Sequence, residues 1–241
     1  SGENFDRTSL DLPGRQLELV KAVYATGTPV VLLLQSGRPV SASWENEHLP
    51  AILEAWFPGE QGGAGIADVL FGDAEPSGRL PITFPRSVGQ VPCHYSRRPG
   101  GGKRYVEMDW LPLYPFGYGL AYTTFAYHDL KLDRTQIAPG ETVTVEFTVE
   151  NTGSRAGVAV PQIYVRDYFS SVVKPERQLA AFTRVELAPG ESRRVSVSVG
   201  PRALRTLGAD YVWRVEPGDF EIQLGDNAEN ILLRTDLTVC G

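Results

Sequence analysis

The sequence predicts a partial α/β open sandwich followed by an all-β sandwich of the fibronectin type III-like or immunoglobulin-like kind. Three observations lead to this fold class. Helix-like and strand-like apolar patterns alternate in the first part of the chain, which is typical of an α/β sheet. From Phe125 onward, apolar and polar residues alternate with a period of two, as in half-buried strands. Pro-Gly turns precede several of these alternating runs.

The first part of the chain contains two predicted helices and two predicted strands. A helix is predicted from Asp11–Pro13, where a proline suits the first helical position, to a stop at Gly27. The continuous apolar run Val30–Leu34 is typical of a strand buried on both faces of a helix-covered sheet. Ala51–Phe57 is predicted to be the next strand and Gly62–Leu70 the next helix. This alternation indicates an open α/β sheet.

The middle of the chain is rich in proline and in aromatic residues. Prolines between Gly72 and Thr123 break any long element, so this stretch is predicted to wrap over a surface rather than build a core. It carries more aromatic residues than a solvated tether needs. We therefore predict three parts: residues 1–89 in the α/β domain, 90–124 as a connecting segment, and 125–241 in the β-sandwich.

The second half predicts half-buried antiparallel strands. The alternating apolar runs are Val143, Val145, Phe147 and Val149; Val195, Val197 and Val199; and Phe220, Ile222 and Leu224. An internal repeat supports this assignment, since Ala-Pro-Gly-Glu at 138–141 and again at 188–191 leads into an alternating run, and Glu216–Asp219 precedes a third. About seven strands fit into this part of the chain, which is the number expected of an immunoglobulin-like module.

Composition excludes several classes of protein. The chain has 241 residues, 42% hydrophobic and 22% charged, with a net charge of -6 and a sequence pI near 5.2. This composition excludes bulk disorder, and without a Lys/Arg cluster a nucleic-acid partner is not expected. The longest apolar run, Pro29–Leu34, is too short to span a bilayer, so no membrane partner is expected. The two cysteines, Cys93 and Cys240, do not predict a disulfide framework.

An ordered set of short segments runs along the chain. In order these are Ser1–Glu3 with Asp6–Arg7, Asp11–Gly14, Gly37–Pro39, Ala51–Gly59, Ile66–Asp73, Pro76–Pro81, Phe84–Pro92, Tyr114–Leu120 and Tyr122–Phe125. The set resembles the C-terminal part of glycoside hydrolase family 3, the β-glucosidase and β-xylosidase family. No single segment is decisive, but the ordered set is very specific.

This resemblance implies an enzyme built of three parts. A (β/α)8 barrel carries an aspartate nucleophile, an α/β sandwich carries a general acid/base glutamate on a loop, and a fibronectin-like module follows. No barrel pattern occurs in the 241 residues. The barrel portion is therefore expected on the same or a separate chain, the isolated chain is expected to be inactive, and Ser1 is expected to lie at a boundary within the functional protein.

The resemblance assigns the general acid/base role to Glu3. Family members often have glycine after this glutamate, where this sequence has Asn4. In a retaining glycosidase, two carboxyl groups lie about 5–5.5 Å apart, and one of them protonates the leaving oxygen and later deprotonates water. The alternative is that Glu3 is a solvated side chain. Asp6 is the second candidate, although Asp6 and Arg7 are predicted to form a local charge pair that braces the loop.

Other candidates are weaker. Glu45, Glu47 and His48 form an acidic cluster whose spacing does not suit a metal motif, so a solvated loop and no metal site are predicted. Gly37–Pro39 follows a predicted strand, where α/β sheets bind ligands. It is either a loop that faces the barrel or a turn in which Arg38 pairs with an acid at the domain contact, and the turn is favoured. The loop aromatics that could contact substrate are Tyr95, Tyr105, Trp110 and Phe169. Packing is the more frequent use of such residues.

The chain is therefore interpreted as part of an exo-acting retaining β-glycosidase that hydrolyses terminal non-reducing β-D-glycosyl residues, with β-glucosides favoured as substrates. The alternative is a non-catalytic carbohydrate-binding or structural module. The expected partners are a β-linked oligosaccharide or glycoside and the barrel portion, and no cofactor is implied. The sequence leaves the oligomeric state and the compartment, whether cytoplasmic, periplasmic or secreted, open.

Overall fold

Residues 4–100 and 104–241 are described by the computed structural model, in which the chain forms two units. The described residues of the first unit are 4–74, 82–93 and 104–115, and those of the second are 75–81, 94–100 and 116–241. The stretch predicted to connect two domains therefore contributes residues to both units. The division of the chain at residues 89 and 124 stays a prediction. No described helix is long and apolar enough to cross a membrane.

The first unit contains short helices and a parallel pair of strands. Its elements are α1 (Gln16–Tyr24), β1 (Val31–Leu34), α2 (Ser43–His48), β2 (Ala51–Glu54), α3 (Gly62–Phe71) and a 3₁₀ turn at Val88–Gln90. β1 and β2 pair in parallel, with Val31 opposite Ala51 and Leu34 opposite Glu54. The order helix, strand, helix, strand, helix confirms the predicted α/β alternation.

Helix and strand boundaries differ from the predicted ones for local reasons. α1 begins at Gln16, because Gly14 adopts φ 57° and the Gln16 amide closes a turn onto the Pro13 carbonyl at 3.3 Å. β2 ends at Glu54 rather than Phe57, because Trp56 adopts φ 53°, which no strand accommodates. α3 ends at Phe71, one residue beyond the predicted end, because Gly72 adopts the left-handed conformation.

The prediction that the first strand is buried on both faces is wrong. Leu34 is buried and Leu32 partly buried, whereas Val31 and Leu33 are 53% and 36% exposed. Successive residues of a strand point to opposite faces, so among the described residues only one face of β1 is packed. That face contributes to a small core of Leu34, Val40, Ala42 and Leu113.

The proline-rich stretch does more than wrap a surface, which corrects the prediction made for it. Phe84 and Leu113 are 3% and 8% exposed, and Leu113 belongs to the core of the first unit. The Leu113 amide donates to the Phe84 carbonyl at 2.8 Å, and the Phe84 amide to the Tyr114 carbonyl at 2.8 Å. This isolated bridge holds two otherwise irregular segments together.

The second unit is a β-sandwich, as predicted. Its elements in chain order are β3 (Phe125–Leu132), β4 (Gln136–Ile137), β5 (Val143–Asn151), β6 (Gly157–Ala159), β7 (Gln162–Asp167), β8 (Gln178–Phe182), β9 (Val185–Leu187), β10 (Ser192–Val199), α4 (Pro201–Leu204), β11 (Thr206–Leu207), β12 (Trp213–Arg214), β13 (Gly218–Gly225) and β14 (Ile231–Val239). Five strands form one sheet in the order β4-β14-β13-β7-β8, and three form another in the order β10-β5-β3. The short strands pair as β6-β9 and β11-β12.

The core of the sandwich confirms the period-two pattern. Along β5, buried and partly buried residues alternate over the whole strand, and Val143, Val145 and Phe147 are at most 1% exposed. Phe220 and Ile222 of β13 are buried in the same cluster. Each such side chain stabilises the fold by about 1.5–3 kcal/mol through removal from water.

The repeated Ala-Pro-Gly-Glu segments form equivalent turns. Gly140 and Gly190 adopt φ 95° and 71°, a conformation that favours glycine. In each turn the glutamate bonds back to the alanine amide: Glu141 Oε2 accepts from Ala138 at 2.8 Å and Glu191 Oε2 from Ala188 at 2.9 Å. The same hydrogen-bonded turn therefore precedes both β5 and β10.

Ion pairs join Arg97 to two loops of the sandwich. Arg97 Nη1 and Nη2 donate to the two carboxylate oxygens of Glu229 at 2.7 and 3.3 Å, and Arg97 Nε donates to Glu176 Oε2 at 3.2 Å. The three side chains are 22%, 21% and 32% exposed. A two-pronged guanidinium–carboxylate contact in such a partly buried place is a strong hydrogen-bonding arrangement.

Replacing Arg97 by alanine is expected to destabilise the second unit by about 2–3 kcal/mol, because charged hydrogen bonds to two partly buried carboxylates are lost and only Glu229 keeps a second arginine, Arg177, at 3.7 Å. Denaturant unfolding measured by circular dichroism tests this. Arg98→Ala is the matched control, since Arg98 is exposed and its loss should cost less than about 0.5 kcal/mol. Equal effects of the two substitutions would contradict the role given to Arg97.

Candidate active-site loop and its support

The proposed acid/base residue, Glu3, lies outside the described residues, which begin at Asn4. We call residues 4–11 the leading segment. It has no helix, Asn4 adopts φ 63° and Phe5 is 83% exposed. An irregular and exposed segment of this kind needs bonds from elsewhere to hold one conformation.

Two bonds from the loop after β1 hold the leading segment. The Ser41 amide donates to the Leu10 carbonyl at 2.9 Å, and Arg38 Nη1 donates to the Arg7 carbonyl at 3.5 Å. The first is a good backbone hydrogen bond and the second a long one. Both come from residues that follow the carboxyl end of β1, which is where open α/β sheets place their functional loops.

The predicted charge pair between Asp6 and Arg7 is wrong. No ion pair joins them among the described residues, and Arg7 Nη1 instead donates to the Asp11 carbonyl at 2.7 Å. The guanidinium thus satisfies a backbone oxygen in the turn that precedes α1. In the same turn, Ser9 Oγ donates to Asp11 Oδ2 at 2.7 Å and accepts from the Asp11 amide at 3.0 Å. The leading segment is braced by backbone contacts rather than by opposite charges.

The predicted pairing of Arg38 with an acid at the domain contact stays a prediction. Within the described part of the chain no carboxylate contacts Arg38, whose Nη1 atom bonds to the Arg7 carbonyl. Its Nη2 atom is buried and finds no hydrogen-bond partner among the described residues. The Arg38 amide donates to Ser36 Oγ at 3.3 Å, so the predicted turn is present.

Glu54 is a partly buried carboxylate that the sequence did not single out. It is the last residue of β2, and its Oε1 atom accepts from the Trp56 amide at 2.9 Å. Burial raises the pKa of Glu54 above the ordinary value of a glutamate, although bonds from the Trp56 and Ser36 backbones act against this rise. Through Ser36 and Trp56 this carboxylate joins the loops that follow β1 and β2. The predicted strand continues to Phe57, so the sequence placed Glu54 inside a strand and gave no signal for its role.

A cleft of about 500 Å³ lies beside these loops in the first unit. Its lining includes Arg7 and Leu10 of the leading segment, Leu34 of β1, Arg38 and Phe57. Its lining combines apolar residues with two arginines. The leading segment therefore forms part of a concave surface at the end of the sheet.

The acidic cluster at Glu45, Glu47 and His48 lies on helix α2, so the predicted solvated loop is wrong. Glu45 is only 3% exposed, and Glu47 is exposed. The His48 ring stacks on Trp44 with centroids 4.3 Å apart, and its Nδ1 atom lies 2.8 Å from the Trp44 carbonyl oxygen. The described residues contain no group of three His, Cys, Asp or Glu side chains that could hold a metal ion.

The candidate aromatic residues have different surroundings. Tyr95, in the second unit, stacks on Phe116 at 4.2 Å and accepts a bond from the Leu179 amide at 3.2 Å. Trp110, in the first unit, is 40% exposed, and Phe169, in a loop of the second unit, is 84% exposed. Trp110 and Phe169 offer ring surface to a ligand, whereas much of the Tyr95 ring is used in packing.

Comparison with known families decides the affiliation of the chain. The glycosyl hydrolase family 3 C-terminal domain matches residues 1–122, and the fibronectin type III-like domain matches residues 159–228. The chain belongs to glycosyl hydrolase family 3. The resemblance found in the sequence and the predicted fold class, an α/β part followed by a β-sandwich, are both confirmed.

Several family 3 proteins are similar to this chain. It is 46% identical to a β-xylosidase of Formosa agariphila, and the match covers 99% of this chain and 34% of that protein. It is 41% identical to a periplasmic β-glucosidase of Salmonella typhimurium, and that match covers 95% of this chain and 31% of that protein. The structure of a β-glucosidase from Erythrobacter marinus superposes with a TM-score of 0.93 at 43% identity, covering 97% of this chain and 31% of that one. The chain spans about a third of the length of these relatives.

The raised pKa of Glu54 predicts a specific pH dependence of stability. The folded state holds the Glu54 proton more tightly than the unfolded state, so stability falls as pH rises from the ordinary glutamate pKa through the folded value. Glu54→Gln removes this titration. The unfolding free energy of the variant minus that of the original chain is therefore expected to increase across this interval and then level off.

Denaturant unfolding at a series of pH values measures this difference. Glu60→Gln is the matched control, because Glu60 is an exposed glutamate of the loop that follows β2. A difference for Glu54→Gln that stays flat with pH, or that follows the Glu60→Gln difference, would argue against a buried titrating carboxylate.

Proposed function

We propose that the chain is the acid/base-bearing part of an exo-acting retaining β-glycosidase, with Glu3 as the general acid/base. A (β/α)8 barrel on the same or a separate chain supplies the aspartate nucleophile. The substrates are β-linked oligosaccharides or glycosides, from which terminal non-reducing β-D-glycosyl residues, glucosyl above all, are released. The family affiliation and the names of the β-glucosidase and β-xylosidase relatives support this reaction class.

The attachment of the leading segment to the loop after β1 is the observation that carries the proposal. The segment begins directly after Glu3, and the Ser41 amide and Arg38 fix the carbonyls of Leu10 and Arg7. A catalytic carboxyl group must be held within a fraction of an ångström of its working position. A loop bonded to the carboxyl end of the sheet meets this need better than a freely solvated segment does.

The proposed role requires Glu3 to change protonation state during each turnover. It donates a proton to the leaving oxygen in the first step and removes one from water in the second. Its pKa must therefore be high while the aspartate is charged and fall once the aspartate is esterified. Two carboxyl groups perform this chemistry without a cofactor. Trp110 and Phe169, which have exposed rings, are weaker proposals for contacts to the aglycone, and so is Tyr95.

Glu3→Gln in the full-length enzyme is expected to lower kcat by about 10²–10⁴-fold for glycosides with poor leaving groups, because protonation of the leaving oxygen is lost. The loss should be much smaller for aryl glycosides with acidic phenols, which leave without protonation. Steady-state kinetics on both kinds of substrate measure the contrast.

Asp6→Asn is the matched control, since Asp6 is an exposed carboxylate three residues away. It should leave the ratio of the two rates unchanged. Glu3→Gln kinetics equal to those of the original enzyme on both substrates would refute the role of Glu3, and a leaving-group effect in Asp6→Asn alone would transfer that role to Asp6.

The 241-residue chain by itself is expected to show no turnover of aryl β-glycosides, because the proposed nucleophile belongs to the barrel. Product release from a chromogenic glycoside measures this, and the full-length enzyme serves as the positive control. Turnover by the purified chain that is lost in Glu3→Gln would contradict the division of the catalytic residues between two parts.

A further inference from the structure

Ser41 bonds to two separate segments of the first unit through two different atoms. Its amide donates to the Leu10 carbonyl of the leading segment at 2.9 Å, and its Oγ atom donates to the Pro85 carbonyl at 3.1 Å. Ser41 is only 9% exposed, so water competes little with the hydroxyl for this carbonyl. The hydroxyl therefore helps to fix the backbone whose amide holds the leading segment.

The chain on both sides of Ser41 is fixed by packing and by a second hydrogen bond. Val40 and Ala42 are 8% and 1% exposed and belong to the core of the first unit. Ser43 Oγ donates to the Arg86 carbonyl at 3.2 Å, next to the carbonyl that the Ser41 hydroxyl uses. This stretch cannot shift without breaking close-packed contacts, so it is a firm support for a neighbouring segment.

The Pro85 carbonyl that accepts the hydroxyl is itself held on both sides. Phe84, directly before it, is 3% exposed and donates its amide to the Tyr114 carbonyl at 2.8 Å. Arg86, directly after it, donates its amide to the buried Gln90 side chain at 2.6 Å. The acceptor therefore has a defined position, and a hydroxyl bonded to it transmits that position to the loop after β1.

Of the two bonds that hold the leading segment, the one from Ser41 is the better. The Arg38 guanidinium reaches the Arg7 carbonyl only at 3.5 Å, whereas 2.9 Å is an ordinary length for an amide–carbonyl bond. The leading segment begins directly after Glu3, so a displacement of its Leu10 end changes the course of the chain on which the glutamate is carried. Its alignment thus depends on the amide of residue 41.

We propose that Ser41 is a positioning residue for Glu3: its buried hydroxyl holds the amide that anchors the leading segment, and this keeps the glutamate aligned with the leaving oxygen. The inference rests on the acid/base role proposed above for Glu3. Loss of the hydroxyl lets the loop after β1 and the leading segment shift together. Proton transfer to the leaving oxygen then becomes less efficient, because it depends steeply on the distance and direction between donor and acceptor.

Ser41→Ala in the full-length enzyme tests this role. The quantity to measure is kcat/KM for a dinitrophenyl β-glycoside, whose phenol leaves without protonation, divided by kcat/KM for the β-glycoside of an aliphatic alcohol, which needs protonation. In a retaining mechanism kcat/KM covers the steps up to the glycosyl-enzyme, in which Glu3 acts as the acid. This ratio is expected to rise about tenfold. Because both substrates are measured on one preparation, a fraction of unfolded enzyme does not change the ratio.

Ser43→Ala is the matched control. It removes the same kind of hydroxyl–carbonyl bond, to Arg86 instead of Pro85, from a residue whose described bonds do not reach the leading segment. The ratio of this variant should equal that of the original enzyme. Ser41→Thr keeps a hydroxyl and should bring the ratio back toward the original value, which a purely structural effect of any substitution at this position would not do.

A double variant separates the positioning role from the proposed function. Adding Ser41→Ala to Glu3→Gln should leave the ratio at the value of Glu3→Gln alone, since the group to be positioned is gone. If Glu3→Gln raises the ratio while Ser41→Ala does not, or if Ser43→Ala raises it as much as Ser41→Ala does, the positioning role is overturned and the acid/base role stands. If Glu3→Gln itself leaves the ratio unchanged, the acid/base role fails and the positioning role fails with it.

Discussion

Buried irregular backbone must find hydrogen-bond partners, and a few buried amide side chains meet this need in both units. Gln90, 5% exposed, accepts from the Arg86 amide at 2.6 Å and donates to the Trp110 carbonyl at 3.1 Å. Gln162, 3% exposed, donates to the carbonyls of Gly117 and Asp226 at 3.0 and 2.6 Å. Because an unpaired buried peptide group costs about 1–3 kcal/mol, these amides allow long loops to pack where regular pairing is absent.

The same principle governs the leading segment of the proposed active site. Two of its carbonyl groups accept hydrogen bonds, one from the Ser41 amide and one from Arg38. Its own Arg7 guanidinium donates to the Asp11 carbonyl. The Glu54 carboxylate in turn accepts bonds from the backbone of the loops that follow the two parallel strands. Charged side chains in this region thus form hydrogen bonds mainly with backbone groups. Salt should therefore change the position of the loop less than it would if surface ion pairs held the loop.

Much of the fold follows from local sequence patterns. The buried alternation along β5 and the two Ala-Pro-Gly-Glu turns are where the sequence predicts them. These features depend on residues close together in the chain, whose preferences act in any context. The exposed face of β1, in contrast, was not predicted, because an apolar run alone does not tell which of its faces other elements will cover.

For the site, the sequence by itself determined the family and the candidate glutamate, since the ordered set of segments and Glu3 are read directly from the chain. Only the tertiary structure decided how the loop after Glu3 is held and that Glu54 bonds to the backbone of the loops that follow β1 and β2. It also showed that Arg38 bonds to a backbone carbonyl of the leading segment. The physical reason is that a charged side chain bonds to whichever acceptor the fold brings near, and residues 7 and 38 become neighbours only once the leading segment has packed against the end of the sheet.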